Sequence, residues 1–179
     1  MMHQSMSLEP AVPMIGPVAK EHFCTGMRHL AGACVVIASE HGGVRAGLTA
    51  TAVCSISAEP PRLLICVNKS VFAHGLITNS GAVSINVLAA DQEVIAKRFA
   101  GMVDGVCGES RFEEEGNWDS GVLSVPVLRD ALVSFECRVV EAIPANSHDM
   151  FVCEVIGIYG QLEAESPLMY FDCKFSALR

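Results

Sequence analysis

Two stretches of this chain alternate between apolar and polar residues with a period of two. That pattern suits a strand with one dry face and cannot line one face of a helix. In the first, Val83, Ile85 and Val87 share a face while Ser84 and Asn86 take the other. In the second, Val133, Phe135, Cys137 and Val139 oppose Ser134, Glu136 and Arg138. Half-buried strands need partners, and the rest of the sequence supplies them. β-Branched residues predict a strand over 33–39, and His41-Gly42-Gly43 offers hairpin chemistry into a strand over 44–48. Residues 49–57 are β-prone until Pro60-Pro61 breaks them, and 63–68 is an apolar strand. A long strand over 150–159 joins the second alternating stretch through a turn at 144–148, and 168–171 is a last short strand.

Helical signals are fewer. Pro17 opens a helix predicted over 18–30, with Phe23, Met27 and Leu30 at helical spacing. Residues 71–79 form a short helix stopped by Gly81, and Asp91 is the expected cap of a helix running to Ala100, with Ile95 and Phe99 one turn apart. Residues 101–126 are a long excursion rich in glycine and acids, anchored by Phe112 and Trp118. The predicted class is mainly β and antiparallel, a closed or half-closed barrel that disposes of its edge strands, with a few flanking helices. The βαβα alternation of a doubly wound sheet is missing. A length of 179 residues suits one domain, expected over 18–179, behind a flexible N-terminal tail at 1–17.

Twelve basic against twenty acidic residues give a net charge of −8, which argues against a nucleic-acid surface or docking to anionic lipid. Every apolar run is interrupted well before the ~18 residues that a spanning helix needs. Met1–Pro17 has neither a basic start nor a continuous apolar core, so no secretory signal is expected and the protein reads as cytoplasmic. With 51% apolar residues, the surplus is expected to cover a subunit interface, most simply in a homodimer. The eight cysteines include no C-x-x-C, so neither a metal site nor a redox pair is indicated. They are expected to be small buried hydrophobes in a reducing compartment.

The sequence has no G-x-G-x-x-G, no H-E-x-x-H and no G-x-S-x-G. Residues 42–49 approach a phosphate loop, but Leu48 stands where its lysine must be. What remains is a set of small polar residues at strand ends: Thr49, Thr51, Ser55 and Ser57; Asn68, Lys69 and Ser70; Ser84 and Asn86. Such residues also serve as turn formers and strand-face hydroxyls. As a site, they describe a groove with many hydroxyl and backbone donors and one ammonium, suited to a polyol phosphate with a flat heteroaromatic head.

The segment Gly47-Leu48-Thr49-Ala50-Thr51-Ala52-Val53-Cys54-Ser55-Ile56-Ser57, followed by Pro60-Pro61, closely resembles the signature of the flavin reductase-like family. These are the short-chain NAD(P)H:flavin oxidoreductases of two-component monooxygenases. The likeness continues in order through Leu64–Ser70, Ser84–Leu88, Ile95–Gly101, Arg111-Phe112, Trp118, Val127–Val140, His148 and Pro167–Phe171.

The resemblance implies a Greek-key split β-barrel dimer that reduces free FMN or FAD with NADH or NADPH, without a Rossmann unit, and passes reduced flavin to a partner monooxygenase. It places the flavin ring and ribityl chain near Thr49, Ala50, Thr51 and Ser55 and the phosphate near Asn68, Lys69 and Ser70. It further puts Ser84 and Asn86 on the groove wall and Phe99 beside or beneath the site. It makes His148 a nicotinamide-positioning residue with no acid–base role. Members commonly carry an acid before this histidine and a glycine five residues after it; here Ser147 and Cys153 stand there, and Asp149 is the alternative orienting carboxylate. A non-catalytic flavin-binding or electron-relay module and a flavin-dependent oxidase are the other readings of the same groove. For the reductase reading, His148→Ala should raise the KM for NAD(P)H several-fold with a smaller fall in kcat, and leave flavin affinity nearly unchanged. An unchanged nicotinamide KM with loosened flavin would assign the histidine to the flavin instead.

Overall fold

The computed structural model describes residues 16–113, 115–160 and 166–178. Residues 1–15 of the expected tail lie outside them. In chain order the elements are α1 (Lys20–Met27), β1 (Gly32–Ala33), β2 (Val35–His41), β3 (Val44–Ala50), β4 (Val53–Ala58), β5 (Pro61–Asn68), α2 (Phe72–Ser80) and β6 (Ala82–Val87). They continue with α3 (Glu93–Phe99), a 3-10 turn (Gly108–Phe112), β7 (Trp118–Ser120), β8 (Pro126–Leu128), β9 (Val133–Ala145), β10 (His148–Tyr159), β11 (Leu168–Phe171) and β12 (Lys174–Ala177). The chain is mainly β, as its alternation predicts.

Seven strands form one antiparallel sheet in the order β3-β2-β6-β9-β10-β5-β4. Its two end strands, β3 and β4, pair with one neighbour each and not with one another. A three-stranded sheet, β1-β11-β12, and the β7-β8 pair complete the list among the described residues. The inward side of the large sheet packs Ile37, Ile65, Val67, Val83, Ile85, Cys137 and Phe151 beneath Ile77 of α2.

The second face of β6 corrects the expectation of one dry and one wet side. Ser84 and Asn86 are completely buried, as are Ser134 and Glu136 on β9. Residues 121–128, the end of the excursion together with β8, fold back and roof this face. The roof uses the polar groups as fasteners. Ser84 Oγ donates to Pro126 O, Asn86 Oδ1 accepts from Leu128 N–H at 2.9 Å, and Ser134 Oγ donates to Leu128 O at 2.8 Å. Buried polar groups persist because each is paired.

Glu136 is the strongest fastener. Its carboxylate accepts the Val122 N–H at 3.0 Å, the Leu123 N–H and the Tyr159 hydroxyl at 2.7 Å. A Cβ at Gly121 would lie 2.3 Å from Glu136 Oε1, so only glycine fits where the loop wraps the carboxylate. The same contact raises the Tyr159 pKa, chiefly because the phenol proton is held on Glu136.

Other boundaries differ from expectation for local reasons. The first helix covers only Lys20–Met27, and Phe23, Met27 and Leu30 remain exposed. Gln92, not Asp91, caps α3, and its side chain accepts the Ala89 N–H at 2.9 Å. The β11–β12 hairpin escapes sequence reading because its turn is Asp172-Cys173, both at positive φ, where glycine or asparagine is the usual signal. The cysteine expectation also fails in part. Cys34, Cys137 and Cys153 are buried, whereas Cys24, Cys54, Cys107 and Cys173 are exposed. Burial pushes the Cys34 thiol up to about 11 and that of Cys153 to about 12.

Glu136→Gln turns an amide N–H₂ towards donors and should lower unfolding stability by about 1–3 kcal/mol. Denaturant titration reads this directly, and an unchanged midpoint would show that the loop does not depend on the carboxylate.

Candidate active site

β3 is an edge strand, and its free edge forms the centre of the site. Arg45 N–H donates to the Glu109 carboxylate, and Gly47 C=O accepts from Arg111 at 3.2 Å. Strand backbone groups alternate in direction, so the N–H and C=O of Thr49 face that same free edge. Thr49 Oγ1 donates to Ala96 O at 2.6 Å, which moors the end of β3 against α3.

Two clefts meet here. One, of about 390 Å³, is lined by Gly47, Thr49, Val71, Phe72, Phe99 and Arg111 among others. The other, of about 220 Å³, has Thr49, Ala50, Thr51, Met102, Tyr170 and Phe175 on its walls. Thr49 and Ala100 line both. Gly47 sits so close beneath Phe99 that a Cβ there would lie 2.8 Å from the ring, so the close approach of strand and ring requires glycine.

Behind the cleft, Phe99 packs edge-to-face with Phe112 and at a tilt against Trp118, at centroid distances of 5.0 and 5.2 Å. Three arginines tie the 3-10 turn to this corner. Arg98 donates to Ser110 O and Glu113 O, Arg111 to Gly47 O and Phe99 O, and Arg45 pairs with Glu109 at 2.8 Å. Arg111 Nε is buried without a hydrogen-bond partner. Sequence reasoning placed the Arg111-Phe112 pair but gave Arg111 no role; only the fold brings it beside Gly47.

The turn Asn68-Lys69-Ser70 runs directly into Val71 and Phe72 of the larger cleft. Asn68 Oδ1 accepts from the Ser70 N–H at 2.9 Å and its hydroxyl at 2.8 Å, a local turn that leaves Lys69 projecting. Lys69 N–H donates to Ser147 O at 3.0 Å, and His148 lies opposite Asn68 in the strand register. His148 opens β10 instead of sitting within the turn, with Nδ1 2.9 Å from Ser147 Oγ.

Thr49, Ala50, Thr51 and Phe99 therefore gather at the clefts, with Asn68, Lys69, Ser70 and His148 at the adjoining strand end. Ser55 is exposed on β4 and lines neither cleft. Ser84 and Asn86 are corrected outright. They lie inside the sheet and its roof, with Asn86 Nδ2 donating to Val36 O at 2.9 Å, so neither reaches a groove.

Asp149 is corrected too, since successive strand residues point to opposite faces. It shares the inward face with Val67 and Phe151, away from His148, and engages Lys69 and His74 instead. The His74 hydrogen bond, followed by Lys69, holds its carboxyl below the usual range.

A separate cleft of about 290 Å³ beneath α3 is bordered by Asp91, Glu115 and Asp130. Its carboxylates would repel a phosphate. The β3 clefts have Arg111 and the free backbone edge, and the turn that carries Lys69 leads into Val71 and Phe72 of the larger one. The structure is thus an antiparallel β protein with two clefts at an edge strand, in a chain whose sequence has no glycine-rich phosphate loop.

Comparison with known proteins gives the family. Residues 27–179 match the model described as a flavin reductase like domain. The chain is 36% identical over 162 residues to the FMN reductase (NADH) RutF of Stutzerimonas stutzeri, covering 90% of each protein. It is also 36% identical over 178 residues to that of Agrobacterium fabrum, covering 98% of this chain and 99% of the relative. Among solved structures, flavin reductase PheA2 superposes with a TM-score of 0.80 at 27% identity, covering 90% of this chain and 99% of that one. BorF, the flavin reductase component of a bacterial two-component tryptophan halogenase, gives a TM-score of 0.79 at 26% identity over 89% of this chain and 98% of that one. The chain belongs to the flavin reductase-like family.

Proposed function

We propose that this protein is an NADH-dependent FMN reductase that releases reduced flavin to a separate monooxygenase. The observation that carries the reading is the collinear likeness, over 98% of the chain, to a relative named for that activity. The cleft's composition supports it. Thr49 and the small Ala50 line the clefts, and the free edge of β3 at Thr49 offers a backbone donor and acceptor to the heteroatoms of a flat ring. The sequence's FMN-or-FAD and NADH-or-NADPH alternatives narrow to FMN and NADH on the relatives' names.

Flavin supplies the redox chemistry when bound, accepting two electrons as hydride from the nicotinamide. The protein's residues bind and orient. Thr49, held by Ala96, keeps the β3 edge in place, and Asn68, Lys69 and Ser70 take the phosphate. His148 orients the nicotinamide without taking or giving a proton. Backbone donors at Thr49–Thr51 stabilise negative charge on the reduced ring.

The same reading makes residues 18–179 one domain, with the seven-stranded sheet and β1-β11-β12 as a Greek-key split barrel, working in the cytoplasm. Among the described residues no helix is long and apolar enough to cross a membrane. A second copy of the chain covers α1. This eight-residue helix buries none of its side chains and leaves Phe23 at 58% exposure, too short to persist on its own propensity. Sedimentation should show a dimer at micromolar concentration, shifted towards monomer by Phe23→Asp with Leu30→Asp; a monomeric parent protein would refute it.

With FMN added, the purified protein should oxidise NADH far faster than FMN alone. Lys69→Ala should weaken FMN binding several-fold, read by titration of the protein with FMN. Tight flavin without NADH oxidation would favour the binding-module reading, and turnover only with an organic substrate would favour an oxidase.

A further inference from the structure

Asp149 stands between two basic side chains at the phosphate turn. Its Oδ2 accepts the His74 Nε2–H at 2.7 Å, and the Lys69 ammonium lies 3.1 Å from Oδ1. Oδ1 is otherwise buried with no hydrogen-bond partner. The Asp149 side chain is only 16% exposed, and His74 also packs its ring 5.6 Å from Phe151. The carboxylate is thus fixed by α2 on one side while its second oxygen turns towards Lys69. The ammonium that would hold the flavin phosphate is already in contact with a carboxylate of the protein.

We propose that Asp149 competes with the flavin phosphate for Lys69, setting flavin affinity low enough for the reduced product to leave. The inference rests on the placement of the phosphate at Asn68-Lys69-Ser70. Lys69 and Asp149 together carry no net charge, so a dianionic phosphate gains little from the pair until the lysine swings away. A prosthetic-group protein would be served by an uncompensated lysine. A reductase that must hand its flavin to another enzyme is served by a compensated one. His74 anchors the carboxylate so that Lys69, the longer and more exposed partner, is the side chain that moves.

The test compares dissociation constants for FMN and riboflavin, which lacks the phosphate, at fixed ionic strength. Asp149→Asn keeps the shape and an oxygen for His74 but removes the charge. It should tighten FMN by about three- to tenfold, a surface-charge estimate, and leave riboflavin unchanged. Asp149→Ser, which cannot mimic the carboxylate's hydrogen bonds, should tighten FMN in the same sense, which separates charge from shape. In a Lys69→Ala background neither substitution should tighten FMN. Weaker FMN binding in both Asp149 variants, or equal gains for riboflavin, would overturn the proposal. Lys69→Ala alone tells the two levels apart. An unchanged FMN-to-riboflavin ratio removes the phosphate from this turn and takes the inference with it. A lowered ratio there, with no gain in Asp149→Asn, overturns the inference alone.

Discussion

Asn86 lies on β6, an interior strand of the seven-stranded sheet, with its side-chain amide committed on two sides. Nδ2 donates to Val36 O of β2, and Oδ1 accepts from Leu128 N–H of β8. This side chain thus ties β2, β6 and the roof together. Through Leu128 the roof continues into Trp118, opposite it in the β7–β8 pair, and Trp118 packs on Phe99 behind the larger cleft. The wall of the site is therefore held by a buried polar seam formed by Ser84, Asn86, Ser134 and Glu136. A buried seam of this kind is costly unless every member is paired, and here each has a partner.

Much of this was legible in the sequence, and the failures share a cause. Period-two alternation located β6 and β9, and Gly42-Gly43 located the β2–β3 hairpin. Alternation reports which residues differ in polarity; it does not report what covers the polar face. Ser84 and Asn86 therefore looked like a groove wall until residues 121–128 were seen to lie on top of them. Asp149 looked like a partner for His148 because the two are adjacent in sequence, yet adjacency in a strand places side chains on opposite faces. His74 and Arg111 carried no sequence signal of their own, since their roles come from contacts 75 and 64 residues away.

The charge distribution fits the same picture. The chain carries a net charge of −8, so attraction of a phosphate must be local. Arg111 lines the larger β3 cleft and Lys69 lies in the turn leading into it, whereas Asp91, Glu115 and Asp130 border the cleft beneath α3. Even at the favourable site the lysine is shared with Asp149.

The most direct test of the account is a crystal structure of the protein with FMN bound. The account predicts the ring against the backbone of Thr49–Thr51 and the phosphate within hydrogen-bond reach of Asn68, Lys69 and Ser70, with Lys69 drawn off Asp149. A flavin lodged in the cleft bordered by Asp91, Glu115 and Asp130, or a phosphate remote from Lys69, would contradict it.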